Sequence, residues 1–415
     1  MWYDGRIYRP GADKVIASCV QTIMGQRCKK ELVNETIAYI ERMKHLLVKP
    51  VERSKICVLN GILDLDTREL VPFRGDLVFT SILPVVYDGN ETPSRLWKFL
   101  DEVLDPEAGT DPEGKKLDYY ALMEFVGTML EPGYRSQKGA ILLGQGANGK
   151  SVLLSVLTAF LGPDNVAGVS MEDLAGRDKY AAADLMGKKA NICADISDAA
   201  MRDTATLKKA LGGDVIRAQR KYGQPFNFTN EAKMIFSCNS IPETDDLSIG
   251  WTRRWLIFNF PRQFTGKEAD PNLVSKLTTP RELSGLLNEA LDGRDRWMRQ
   301  GYFTGHDDVE KDRERYLMAS DPSTSFLARE CYLQLTEIRE GGITSPIPET
   351  TAEELYLRYV DWCKEKRLTP ASPQKFGRKV QEVYPGVSHP RKWLGDRKKD
   401  GRYVYVWYGL GLNNP

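Results

Sequence analysis

Eight residues, Gly144-Gln145-Gly146-Ala147-Asn148-Gly149-Lys150-Ser151, restrict this chain more than any others. They read G-x-x-x-x-G-K-S. The apolar run Ala140-Ile141-Leu142-Leu143 precedes them, and Val152 to Leu161, apolar at helical spacing and free of Pro and Gly, follows. A buried strand, a glycine-rich turn and a helix in that order form the phosphate cradle called a P-loop. Gly144, Gly146 and Gly149 let backbone N–H groups converge on an anion, and the helix N-terminus adds donors and the positive end of its dipole. Lys150 would reach the β- and γ-phosphates of a nucleoside triphosphate, and the Ser151 hydroxyl would ligate Mg2+.

With 415 residues, 41% hydrophobic and 28% charged, the chain has the composition of a globular protein of two to three domains. A net charge of +1 says little about partners, so charge has to be read locally. No apolar run approaches the roughly 18 residues of a membrane span, and the start, Met1 to Arg6, lacks a signal-peptide core. A cytoplasmic, non-membrane protein is expected. The seven cysteines form no C-x-x-C pair, which argues for reduced thiols and against zinc or a disulfide framework. His45, His306 and His389 form no metal-type cluster.

Three domains are expected: an N-terminal α+β domain (1–115), a P-loop ATPase core (116–315) and a small C-terminal domain (320–415). The first mixes a helical pattern from Asp13 to Leu47 with strand-like runs at Ile56 to Leu65, Leu77 to Thr80 and Leu83 to Tyr87. Asp105 to Lys116 reads as a loop, and a helical lead-in follows, ending near Pro132-Gly133. Strands and helices alternate from 138 to about 262, the pattern of an α/β nucleotide-binding core. A loop, Gly341 to Thr351, is expected to interrupt the last domain.

Three segments after the P-loop narrow its chemistry. Ala190 to Asp195 is a mostly apolar run that places Asp195 at a strand's C-terminal edge, where it would hold Mg2+ or polarise water. A carboxylate there also caps a following helix, a role that suits Asp198 as well. Lys233 to Asn239 ends in an amide that would orient the lytic water or sense the γ-phosphate; Asn239 also suits the turn before Pro242. Arg253-Arg254, before the strand Leu256 to Phe260, suit an arginine finger supplied to a neighbouring subunit, or a structural ion pair. Between these lie two alternating flanks, Val215 to Gln219 and Pro225 to Phe228, which make a hairpin with the basic, aromatic tip Arg220-Lys221-Tyr222-Gly223. Such a tip suits phosphate contact and base stacking on single strands, and an ordinary solvated turn as well.

The last domain reads helix (Ala352 to Lys366), helix (Ser372 to Tyr384), then a strand (Arg402 to Trp407) after the basic turn Arg397-Lys398-Lys399. That is winged-helix grammar. Twelve Lys/Arg against four Asp/Glu between Lys364 and Arg402 are the footprint expected of phosphate binding, with Lys398 and Lys399 as candidate contacts, and suit a solvated wing used for subunit contacts as well.

The order of these parts resembles the superfamily 3 helicases, AAA+-type motors of phage, plasmid and large DNA virus replication proteins. It is most similar to their primase–helicase branch, which includes the poxvirus primase/NTPase. The likeness rests on Asn148 before Gly149-Lys150-Ser151, on Lys208 to Tyr222 with its Gly212-Gly213-Asp214, on Asn239-Ser240-Ile241-Pro242 and on Arg253-Arg254. Upstream, Val58 to Leu70 looks like the N-terminal domain that precedes these motors. The resemblance implies a homo-hexamer that turns over ATP with Mg2+ between subunits. The hairpin would grip single-stranded DNA through Arg220 and Lys221. Many relatives carry a glutamate or two consecutive acids where this chain has Asp195-Ile196-Ser197. No primase carboxylate triad is visible, and the abrupt start fits a primase half upstream or in trans. The expectation is an ATP-dependent DNA helicase. The alternatives are an AAA+-like remodelling ATPase and a DNA-binding module whose nucleotide site is structural.

Overall fold

The computed structural model describes residues 1–43, 54–106, 109–194, 201, 203–242, 244–340, 343–394 and 402–413. The chain starts with a short ladder, β1 (Trp2–Tyr3) against β2 (Tyr8–Arg9). The helical pattern from Asp13 forms two helices, α1 (Ala12–Met24) and α2 (Lys30–Arg42), where the sequence reads as one. Gly25 breaks it, with φ 52° and ψ −129°, a conformation reserved for glycine. The run from Ile56 is also two elements. β3 (Lys55–Val58) turns through Leu59-Asn60 into β4 (Gly61–Asp64), which pairs onward with β5 (Leu70–Val71). Leu77 to Thr80 and Leu83 to Tyr87 lie outside regular strands. The second is still bonded to this unit, Leu83 N–H donating to Cys57 O (2.9 Å) and Leu59 N–H to Val85 O (2.8 Å), while in the first Phe79 O accepts from Tyr8 N–H of β2 (2.6 Å).

Next come α3 (Ser94–Val103), α4 (Leu117–Thr128), β6 (Gly139–Leu143) and, after the glycine-rich turn, α5 (Lys150–Leu161). β7 (Val166–Ala167), β8 (Ala190–Cys193) and α6 (Ala205–Gly212) follow, then the hairpin strands β9 (Val215–Gln219) and β10 (Pro225–Thr229). β11 (Lys233–Cys238), α7 (Ile249–Thr252) and β12 (Trp255–Asn259) complete this region. β12-β6-β11-β8-β7 form one sheet in which every pairing is parallel. Both faces are covered. Ala140 and Leu142 of β6 enter a core with α3, α4 and α5, while Ile141 and Leu143 enter a second with α6, Trp251 and Trp255. Burial on both sides is why β6 reads as an unbroken apolar run.

α8 (Leu273–Leu277), α9 (Pro280–Gln300) and α10 (Val309–Ser320) follow the sheet. α9 begins where Thr279 caps Glu282 N–H with Pro280 in the first turn. It packs on α4 at backbone distance: a Cβ on Gly127 would lie 2.4 Å from Ala290 O, and one on Gly293 2.4 Å from Met123 O. Beside this crossing Glu124, fully buried, accepts from Arg296 Nε (2.6 Å), Thr304 N–H (2.7 Å) and Thr304 Oγ1 (2.6 Å). Arg294, also buried, donates to Glu131 (2.7 Å) and to Asp66 (2.7 Å) in the turn after β4. The apolar core runs without interruption from Ile56 and Leu63 through α3 and α4 to α5 and α9.

The C-terminal region comprises α11 (Pro322–Glu330), β13 (Cys331–Leu333), β14 (Ile338–Glu340), β15 (Ile343–Ser345) and β16 (Glu349–Thr351). α12 (Ala352–Glu365), α13 (Pro373–Val383), β17 (Arg391–Leu394), β18 (Arg402–Tyr408) and β19 (Leu410–Leu412) finish the chain. The expected loop from Gly341 to Thr351 therefore carries two strands, β15 and β16, whose β-branched residues (Ile343, Thr344, Thr350, Thr351) suit a ladder. The helices meet over an aromatic core in which Tyr359 and Phe376 stack with centroids 4.3 Å apart. Among the described residues no helix is long and apolar enough to cross a membrane.

Gly293→Ala is expected to lower unfolding free energy by about 1–3 kcal/mol, the usual cost of overpacking. Guanidinium titration checks this; an unchanged midpoint would show that the α4–α9 crossing yields easily.

Candidate functional site

The glycine-rich turn leaves the carboxyl end of β6, an inner strand flanked by β11 and β12. In open parallel sheets ligands bind outside these ends. The turn is built by close approach. A Cβ on Gly144 would stand 2.3 Å from the Asn148 amide and 2.5 Å from Phe260 O, and Gly149 has φ 90° with Phe99 and Val103 pressed against it. No heavy atom lies within 4 Å of a Cβ built on Gly146, which leaves room over the turn. Asn148, 3% exposed, donates to Phe260 O (3.1 Å) and accepts from Lys150 (3.2 Å). Lys150 also donates to the carbonyls of Gly144 and Gln145, so its ammonium sits inside the turn. Ser151 is exposed on the first turn of α5.

Two supports hold the turn from outside. After β12 the chain returns across it, Phe264 N–H donating to Ala147 O (2.7 Å) and Gln263 Nε2 to Gly146 O (3.1 Å). This segment, α3 and α8 enclose a cleft of about 540 Å3 beside Ala147, Gly149 and Val152, lined by Phe99, Phe264 and Arg262. Arg262 lies over the Phe264 ring at 4.7 Å and pairs with Glu102 at 2.6 Å. On the other side β11 runs beside β6, and Gly144 N–H donates to Cys238 O (3.2 Å). Asn239 is thereby delivered next to the turn, exposed, with its carbonyl taken by Thr369 Oγ1 (3.3 Å). Asp195 lies outside the described residues, as do Asp198, Lys398 and Lys399; Ala194, after β8, is the last residue described before it.

Arg253 and Arg254 are not brought to this turn. Trp255 pairs with Gly139 at the start of β6, so the arginines stand at the opposite edge of the sheet, on the order of 13 Å away along the strand. Arg253 is exposed and donates weakly to Gln137 Oε1 at 3.3 Å. Arg254 is part-buried. Its Nη1 donates to Gly250 O, its Nε has no partner among the described residues, and burial, reinforced by Arg253, pulls its pKa down. Asp214, at the foot of the hairpin, and Asp246 oppose that shift.

The hairpin forms in the expected register, Gln219 opposite Pro225 and Val215 opposite Thr229. Ile216 and Ala218 are buried against the core while Arg220, Lys221 and Tyr222 project. Gly223 N–H donates to Arg220 O (2.8 Å), closing a turn in which Tyr222 has φ 63° and its side chain is 94% exposed. In the C-terminal region Lys375 and Arg378 are exposed on α13, whereas Lys379 is engaged with Asp321 (3.3 Å) and Glu382 (3.0 Å).

Residues 6–105 match a family described as D5 N terminal like. Residues 142–254 match a family of unknown function, DUF5906, a stretch that runs from β6 through the hairpin to Arg254. Among solved structures, the C-terminal region of NrS-1 superposes with a TM-score of 0.41 at 10% identity, covering 92% of this chain and 90% of that one. A second structure of that region gives 0.40 at 12% identity, covering 88% and 84%.

Arg253→Ala should leave stability within about 0.5 kcal/mol of the parent, as surface changes do. Arg254→Ala should cost about 1–3 kcal/mol, because a part-buried network loses its cation. Thermal melts of the two variants check the ranking; equal losses would mean that both arginines are structural.

Proposed function

We propose that this chain is an ATP-driven motor on single-stranded DNA, a replication protein of the primase–helicase type and an ATP hydrolase. The reading rests on one observation above all. A glycine-rich turn with a buried lysine and an exposed serine lies at the carboxyl end of an inner parallel strand, with Asn239 delivered beside it. The space over Gly146 and the ammonium within the turn suit a triphosphate. The cleft lined by Phe99 and Phe264 is apolar enough to take the adenine base. Ser151 and Asp195 would hold Mg2+, which neutralises phosphate charge when bound. Asn239 would orient the attacking water.

Because Arg253 stands at the far edge of its own sheet, it would serve a neighbour's nucleotide, as a homo-hexameric ring requires. Arg220, Lys221 and the exposed ring of Tyr222 would hold DNA by phosphate contact and stacking. Helix, strand, helix, helix and a β-ribbon from α11 through β16, α12 and α13 to β17–β18 support a winged-helix reading of the last region. Its basic turn, with Lys398 and Lys399, would add phosphate contacts. The match of residues 6–105 supports a replication protein, and a primase partner upstream or in trans remains part of the proposal.

ATP turnover measured with and without single-stranded DNA tests this. Lys150→Ala should lower turnover on the order of a hundredfold or more. Tyr222→Ala should weaken DNA binding by about 1–3 kcal/mol, the value of one stacked base. Turnover indifferent to DNA would instead identify a remodelling ATPase, and DNA binding without any turnover a binding module.

A further inference from the structure

The turn between α12 and α13 belongs to the C-terminal region but ends on the glycine-rich turn. Thr369 Oγ1 accepts from Gln145 Nε2 (2.9 Å) and donates to Asn239 O (3.3 Å), so one hydroxyl bridges the two elements that flank the candidate phosphate site. The bridge is rigidly mounted. Tyr359 OH accepts from Ala371 N–H (2.9 Å), Tyr356 OH donates to Ala371 O (3.0 Å), and both tyrosines stand in the aromatic core of the C-terminal region. At the turn's other end Arg367 adopts φ 54°, a conformation that side chains rarely take, and pairs with buried Asp105 just after α3. Leu368 packs into the core behind the sheet and the C-terminal core at once. On the solvent side, a cleft of about 640 Å3 is lined by Ser240 and Ile241 from the β11 exit, by Thr369, and by Lys375 and Arg378 of α13. Exposed cations that suit a nucleic-acid backbone thus open onto the same cleft as the bridging hydroxyl.

Building on the nucleotide reading above, we propose that Thr369 is a positioning residue. It sets Gln145 against Asn239, and it makes the α12–α13 turn the link by which DNA on Lys375 and Arg378 controls ATP turnover. A phosphate drawn to α13 acts on Ser372, which caps that helix, and so on the three residues leading back to Thr369. Coupling free energies between two sites are typically worth fivefold or more.

The test is steady-state ATPase of the full chain with and without oligothymidylate, for the parent, Thr369→Ser, Thr369→Val and Thr369→Ala. Thr369→Ser keeps the hydroxyl and should respond to DNA as the parent does. Thr369→Val and Thr369→Ala should keep the ATP KM within about twofold while DNA stimulation falls from about fivefold or more to under about twofold. The alanine variant separates loss of the hydroxyl from crowding by the added methyl. DNA stimulation unchanged in both overturns the proposal and leaves the nucleotide reading standing. A parent that turns over ATP without responding to DNA also overturns it, whereas a parent with no ATP turnover removes both.

Discussion

The architecture depends on how tightly the glycine-rich turn is closed against the carboxyl ends of its neighbours. Asn148 is the keystone. Its amide reaches across to Phe260 O at the end of β12, and its carbonyl takes the Lys150 ammonium. Gly144 has no room for a side chain because that bridge passes over it. A chain that anchors its turn from both flanking strands holds backbone donors in place before a ligand arrives, which is what preorganised anion binding needs.

The parallel sheet then separates tasks by edge. At the carboxyl edge lie the turn, Asn239 and the aromatic cleft. At the amino edge lie the arginine pair and, through Asp214, the foot of the hairpin. Asp214 at the foot of the hairpin opposes the fall in the Arg254 pKa, so foot and arginines share one electrostatic neighbourhood, while the glycine-rich turn is a strand's length away. A motor built on one such subunit would need a second subunit to bring arginine and nucleotide together. Glu124 and Arg294, both buried and both held in hydrogen-bonded ion pairs, tie together the helical layer behind the sheet.

Much of this was legible in sequence where local pattern and structure agree. Residues 140 to 161 announce strand, turn and helix, and Val215 to Phe228 announce a hairpin, because each rule is satisfied by neighbours in the chain. The break at Gly25 was hidden, since an isolated glycine costs a helix only about 1 kcal/mol and leaves the apolar spacing intact. The β3–β4 hairpin was hidden because both strands are buried and apolar, so Asn60-Gly61 was the only cue. The contacts that Thr369 and Phe99 make with the turn had no local signal at all. Thr369 meets Gln145 across 224 residues, and only the folded chain puts a C-terminal turn over the glycine-rich turn.

The central claim is that Gly144 to Ser151 binds a nucleoside triphosphate. Amide hydrogen exchange with and without Mg2+ and ATP tests it most directly, because it reads the backbone donors themselves. The account predicts slowed exchange across the turn and the first turn of α5, lost in Lys150→Ala. Exchange there that is indifferent to nucleotide at millimolar concentration would contradict it.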